Sequence, residues 1–126
     1  MKRTPSHSHH NHMREFPRRE ILQLTVACHQ AGLKNIEREW PALGLWDASA
    51  GRWHWFDIAG TFANRLFLFD FQPGYWQSNP TKPELERQQQ KAAWAETNEI
   101  PLYFVPYGYS TLEMTILVKK FIMENL

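Results

Sequence analysis

The sequence predicts an α/β (α+β) domain in which one mixed sheet is flanked by helices, with the elements in the order α, three strands, α, β, α. Apolar residues recur at helical spacing near residues 17–31, 84–98 and 110–126. Aromatic and aliphatic runs typical of strands occupy residues 43–72 and 101–105. At 126 residues with 43% hydrophobic content, the chain is long enough for a single domain with its own core.

The first helix is expected to follow a basic, histidine-rich arm. Residues 1–16 hold four histidines and several polar residues but few apolar ones, which predicts a disordered arm preceding one domain over residues 17–126. Pro17 is a favourable first helical residue, and the helix is expected to end near Ala31. Residues 34–42 are ambiguous, and a short helical turn is one interpretation.

Three strands follow in the middle of the chain. Residues 43–47 and 52–58 predict a hairpin, because alternating apolar segments flank a stretch of small residues. The next turn is expected within residues 60–64, and the third strand at residues 65–72, closed by Pro-Gly.

Two capping boxes mark the start of the later helices. Thr81 and Ser110 are each followed three residues later by Glu, the spacing that satisfies two backbone N–H groups at a helix start. The first of these helices is expected to end near Asn98. Between them, residues 101–105 predict a short buried strand, bracketed by prolines.

Charge, cysteine content and hydropathy restrict the class of protein. Residues 1–19 carry five basic side chains against one acidic, on a slightly acidic body, whereas the whole chain has a net charge of +1. This is not the profile of a strongly basic nucleic-acid binder. Cys28 is the single cysteine, so a disulfide framework is excluded and a reducing cytoplasm is expected. No apolar run is long enough to span a membrane.

Two aspartates form the main candidate site. Only Asp47, Asp57 and Asp70 occur in the chain, and the last two are embedded in strand-like apolar sequence, where an ionised carboxylate needs compensation. If the second and third strands pair around residues 62–64, these two carboxylates stand directly opposite each other, about 5 Å apart at Cβ. A divalent cation with oxygen ligands, such as Mg²⁺, would relieve their repulsion.

The pattern Asp57, twelve residues, Asp70-x-Gln72 on consecutive strands resembles the PD-(D/E)XK nuclease superfamily. The resemblance spans roughly residues 17–106 and implies a restriction-endonuclease-like αβββαβ core, with the last helix as an extension. It implies that Asp57 and Asp70 bind Mg²⁺ or Mn²⁺ and that Gln72 occupies the position of the usual lysine. A neutral amide orients water but supplies no positive charge.

The resemblance also implies that the missing charge comes from the helix that follows the three strands. Lys91 and Arg87 are the candidates there, although both also fit an ordinary solvated helix surface. Glu20 on the first helix is a candidate third metal ligand, and a surface role is the alternative.

DNA contacts are expected from five residues: Arg18, Arg19, Tyr75, Trp76 and Arg87. The arginines suit phosphate, and the two aromatic side chains suit base stacking. The alternative for Tyr75 and Trp76 is that they cover an edge of the core.

Three functions remain open at this level. The first is a small Mg²⁺-dependent DNA endonuclease of phage or mobile-element type, for which a homodimer would allow both strands to be cut. The second is a nuclease-fold DNA-binding or assembly protein whose site is compromised by Gln72. The third is an α+β interaction protein whose tryptophan-rich hairpin belongs to the core.

Overall fold

The computed structural model describes residues 8–48, 50–72 and 80–126, with side chains described from residue 19 onward within these ranges. The described elements follow the predicted order. They are α1 (Ser8–Gln30), β1 (Lys34–Asp47), β2 (Arg52–Phe62), β3 (Arg65–Phe71), α2 (Lys82–Thr97), β4 (Leu102–Val105) and α3 (Thr111–Glu124).

The four strands form one mixed sheet in the order β1-β2-β3-β4. The first three strands pair antiparallel through short connections, whereas β4 is parallel to β3. A parallel pair needs a long crossover connection, and α2 lies within it. The described chain is therefore an α+β fold with a four-stranded mixed sheet and three helices, as predicted at this level.

Helices cover both faces of the sheet. Successive residues of a strand point to opposite faces, and β3 shows this directly. Phe67, Phe69 and Phe71 pack in the core cluster that contains the buried residues of α1 and α3. Leu68 packs in a second cluster, which includes Trp94 of α2. The sheet thus lies between α1 and α3 on one side and α2 on the other.

The boundaries of the first two elements differ from the predictions. Helix α1 begins at Ser8, within the segment expected to be a disordered arm, and residues 8–16 contain no Gly or Pro that would break a helix. Residues 34–42 are not a helical turn but the first part of β1. This is an edge strand, which tolerates a proline because one of its sides carries no ladder hydrogen bonds.

The starts of α2 and α3 and the β2–β3 turn agree with the predictions more closely than the boundaries of α1 and β1 do. Complete capping boxes begin α2 at Thr81 and α3 at Ser110, as predicted. Strand β2 continues to Phe62, so the turn is shorter than expected and consists of Ala63 and Asn64. Both have positive φ, 52° and 65°, which is typical of a two-residue hairpin turn of type I′.

No helix in the described part of the chain is long and apolar enough to cross a membrane.

Candidate active site

The two aspartates of the candidate site are brought together by the register of β2 and β3. Ile58 pairs with Phe69 across these antiparallel strands, so the next residues outward, Asp57 and Asp70, come opposite each other. This is the register expected from the sequence. It follows from the two-residue turn, because the turn fixes every later pair of the hairpin.

The two carboxylates replace ladder hydrogen bonds at the point where β2 and β3 stop pairing. The backbone N–H of Asp57 donates to Asp70 Oδ1 at 3.0 Å. In return, the backbone N–H of Phe71 donates to Asp57 Oδ2 at 3.0 Å. Each acid therefore caps the backbone of the other strand, and both carboxylates are held between the strand ends rather than projecting into solvent.

A break in the strand alternation accompanies this arrangement. Phe56 and Ile58 are two residues apart on β2, yet Phe56 packs in the cluster on the α2 side and Ile58 in the cluster on the α1 and α3 side. On the neighbouring strand, Glu39 lies opposite Asp57 and has a positive φ of 53°. The irregular backbone at these paired positions turns Asp57 towards Asp70.

Lys91 of α2 completes the cluster. Its Nζ donates to Asp70 Oδ2 at 2.8 Å, and the Lys91 and Asp70 side chains are only 15% and 9% exposed. A contact this short between largely buried charged groups is a strong hydrogen bond as well as an ion pair. The resemblance implied a cation from this helix, and Lys91 is the residue that lies at the acids.

Aromatic packing of α2 explains why Lys91 reaches the acids. Trp94 follows Lys91 by three residues, so both lie on the same side of the helix. The Trp94 ring packs against Trp40 and Phe56, with ring centroids 6.1 Å and 5.6 Å away. Its indole N–H donates to the carbonyl oxygen of Leu43 at 3.0 Å. These contacts fix α2 over the middle of β2.

Burial and mutual repulsion set the electrostatics of the acid pair. Desolvation raises the pKa of Asp57 well above its usual range, and the Asp70 carboxylate raises it further through its charge and a hydrogen bond. The Phe71 N–H and the Lys91 charge act in the opposite direction. Without another cation, the pair therefore favours a proton on Asp57.

His54 is a buried residue of β2 on the side of the sheet that faces Lys91. It lies close enough to Lys91 and Arg87 for their charges to act on it. Burial lowers the pKa of His54, both cations lower it further, and Asp47 raises it.

Among the remaining predicted residues, the side chains of Gln72, Arg87 and Arg19 are described. Gln72 directly follows β3 and is exposed. Its backbone N–H donates to the Val105 carbonyl oxygen at 2.9 Å. Arg87 is exposed on α2, one turn before Lys91. Arg19 is exposed on α1. The side chain of Arg18, and Tyr75 and Trp76 entirely, lie outside the described residues.

Glu20 is not brought to the acid pair as a third ligand. Among the described side chains there is no group of three or more His, Cys, Asp and Glu that could hold a metal ion. Glu20 lies on α1, its Oε2 is buried without a hydrogen-bond partner, and burial raises its pKa while Arg19 lowers it. The described side chains therefore do not group Glu20 with Asp57 and Asp70 as ligands of one metal ion.

The donor set of the acid pair nevertheless fits a hard divalent cation. Mg²⁺ is commonly held by one or two carboxylates and keeps several waters. Asp57 and Asp70 supply two carboxylates at one point, and Lys91 pairs with Asp70. Two carboxylates faced by one ammonium group leave a negative charge that a divalent cation would balance.

Comparison with known proteins identifies no relative of this chain. The sequence matches no protein-family model, and neither a curated protein nor a solved structure is significantly similar to the chain.

Proposed function

We propose that this protein is a small Mg²⁺-dependent DNA endonuclease, acting in the cytoplasm, with a site of PD-(D/E)XK type. The observation that carries the proposal is the cluster of Asp57, Asp70 and Lys91 at the point where the pairing of β2 and β3 ends. Two opposed carboxylates with a lysine beside them suit hydrolysis of a phosphodiester, where a metal ion and a cation must balance the charge of the phosphate. The order of the elements, α1 through β4, supports the same assignment.

Asp57 and Asp70 are the proposed metal ligands. Bound there, Mg²⁺ or Mn²⁺ would supply charge for the phosphate and lower the pKa of a water molecule. Hydrolysis would then form one P–O bond from water and break the bond to the leaving sugar oxygen, which would take up the proton that the water gives up.

Lys91 takes the role of the lysine that Gln72 replaces. In the metal-free protein its ammonium group compensates Asp70. With a cation held by the carboxylates, the same ammonium is free to stabilise charge that develops on the phosphate. Gln72 contributes an amide that orients water, and Arg87, exposed one turn before Lys91, is placed to contact the DNA backbone.

DNA cleavage by matched variants tests the proposal. We expect the wild-type protein to cut supercoiled, branched or single-stranded DNA in Mg²⁺ or Mn²⁺, and Asp57→Asn and Asp70→Asn to abolish cutting. Asparagine retains the carbonyl oxygen that accepts the strand N–H, so these variants keep the fold. Lys91→Met should reduce the rate by roughly 10²–10³-fold, the usual effect of losing one electrostatic donor.

The control is Lys82→Met, which removes an exposed lysine from the same helix and should leave the rate unchanged. Absence of cleavage on all three DNA forms, with circular dichroism showing a folded wild-type protein, would contradict the enzyme proposal.

The ion pair itself favours a second candidate, a DNA-binding protein of the same architecture without catalysis. Lys91 already neutralises Asp70 at the place where a metal ligand would bind a cation, and Gln72 carries no charge. In that case the wild type shifts DNA in a metal-free gel assay but does not cut it, whereas Gln72→Lys gains metal-dependent cleavage.

A further inference from the structure

His54 is a buried polar residue whose ring makes no hydrogen bond to another described residue. The residue is only 5% exposed, and a buried imidazole usually has a partner for its N–H group. Among the described side chains, Glu20 Oε2 is the sole polar atom that is both fully buried and unpartnered. The ring nitrogens of His54 therefore keep contact with solvent through the small part of the residue that is exposed.

The strand places His54 on the face of the sheet that α2 covers. Phe56 packs in the cluster on that side, and His54 precedes it by two residues, about 7 Å along the strand. The Nζ atom of Lys91 lies over the Phe56 ring, 5.7 Å from the ring centroid. Arg87 precedes Lys91 by four residues, so both side chains extend from the same side of α2. Two cations of α2 are therefore close to His54.

The charges that act on His54 come from α2 and from the β1–β2 hairpin. Burial lowers the pKa of His54 most, and the Lys91 and Arg87 charges lower it further, whereas Asp47 raises it. Asp47 stands opposite Arg52 across the hairpin, and its Oδ1 atom accepts a backbone N–H of the hairpin turn at 3.4 Å. The Asp47 carboxylate is thus engaged within the hairpin and is not a hydrogen-bond partner of His54.

The side chains that converge on this point are complementary to an anion. Ammonium and guanidinium groups only donate hydrogen bonds, and a neutral imidazole has one N–H donor. Lys91 donates to Asp70 and has two further N–H groups. The oxygen atoms of one anion can accept from the imidazole and from both cations. Phosphate is an anion for which arginine and lysine are common ligands.

We propose that His54, Arg87 and Lys91 form a phosphate-binding subsite, in which the His54 N–H donates to a phosphate oxygen of a nucleic-acid backbone. The phosphate chemistry follows from the three donors, whereas the choice of nucleic acid as its source rests on the proposed nuclease function. His54 lies three residues before Asp57 on β2, so the subsite adjoins the acid pair. In this arrangement His54 binds the substrate and takes no part in bond breaking.

Binding of a short oligothymidylate to the full-length, metal-free protein tests the proposal without cleavage. His54→Phe retains an aromatic ring but removes the N–H. It should raise the dissociation constant, measured by fluorescence anisotropy, by at least roughly 10-fold, the effect of losing one hydrogen bond to a charged group. The matched control is His29→Phe, which replaces an exposed histidine of α1 and should leave the dissociation constant unchanged. Circular dichroism checks that both variants are folded.

NMR of the imidazole nitrogens in the wild-type protein requires no substitution. Oligothymidylate should shift the His54 ring resonances and raise the pKa of His54, because a bound anion favours the charged imidazole. Inorganic phosphate should cause the same changes at higher concentration, since it offers the same oxygen atoms without the rest of the nucleic acid.

The outcomes separate the subsite from the nuclease activity. Unchanged His54 resonances with both probes, or equal oligothymidylate binding by the wild type and folded His54→Phe, would overturn the subsite. A response to inorganic phosphate alone would overturn the assignment to a nucleic-acid backbone. If only the nuclease proposal fails, oligothymidylate still binds through His54, but no DNA is cut in Mg²⁺.

Discussion

At the scale of single residues, Lys91 balances only part of the charge that it faces. Asp57 and Asp70 carry two negative charges when both are ionised, whereas Lys91 contributes one positive charge to Asp70. Burial is the larger cause of the raised pKa of Asp57, and the neighbouring Asp70 charge raises it further. Removal of any one of the three groups therefore changes the energetics of the remaining pair.

Substitution of Lys91 tests how much the Lys91–Asp70 ion pair contributes to the stability of the fold. At neutral pH, Lys91→Met leaves Asp70 largely buried without its cation, and we expect a loss of about 3–5 kcal/mol in the free energy of unfolding. The measurement is urea unfolding in metal-free buffer. The same substitution in an Asp70→Asn background should be much less destabilising, because no buried charge is then left unpaired. Equal losses in both backgrounds would show that the ion pair does not stabilise the fold.

The pKa of Asp57 predicts how stability depends on pH. Because this pKa is higher in the folded protein than in the unfolded chain, folding favours the protonated carboxyl. The resulting stability is fully present below the ordinary aspartate pKa, about 3.9, and is lost as the pH rises through the raised value. The melting temperature of the metal-free protein should therefore fall with increasing pH, and Asp57→Asn should make the melting temperature less dependent on pH. A steeper fall in the variant would contradict the assignment.

At the scale of elements, the β2–β3 turn decides where the two acids meet. Ala63 is exposed and adopts a φ of 52°, a left-handed conformation that is unfavourable for a residue with a Cβ. We expect Ala63→Gly to stabilise the protein by about 0.5–1 kcal/mol in chemical unfolding, since relief of this strain exceeds the added entropy of the unfolded chain. Ala48→Gly, in the other hairpin connection, is a comparison without a positive φ and should not stabilise.

The sequence predicts elements with regular patterns and misses those with irregular ones. The opposition of Asp57 and Asp70 was predictable, because a short turn between two strands fixes their register. The later part of β1 was predicted as a strand at residues 43–47, but its first part, residues 34–42, was not. The positive φ values at Asn35 and Glu39 and the register shift after Pro41 interrupt the alternation on which strand prediction depends. A prediction based on alternation therefore does not recognise a strand segment whose backbone is irregular.

The same reasoning applies to the side chains around the acids. Sequence spacing offered both Lys91 and Arg87, which lie one turn apart, and only the packing of Trp94 selects Lys91. The proximity of the buried His54 to Lys91 likewise has no signature in the sequence. These contacts depend on tertiary packing between α2 and the sheet, which no local pattern encodes.

At the scale of the whole molecule, the two faces of the sheet have different roles. The α2 face carries Lys91 over the acid pair, whereas the α1 and α3 face contains the larger core cluster. A cation bound at the acid pair should stabilise the entire fold, because only the folded chain brings Asp57 and Asp70 together.

The most direct test of the central claim, that Asp57 and Asp70 hold a divalent cation, is calorimetric melting of the protein at increasing Mg²⁺ concentration. Mg²⁺ is preferable to Mn²⁺ because the histidines of residues 7–12 bind hard cations poorly. A Mg²⁺ concentration of 100 times the dissociation constant adds about 2.7 kcal/mol to the free energy of unfolding. The melting temperature of the wild type should therefore rise by several degrees. Asp57→Asn and Asp70→Asn should show no rise. An unchanged wild-type melting temperature at millimolar Mg²⁺, or an equal rise in the Asp70→Asn variant, would contradict the claim.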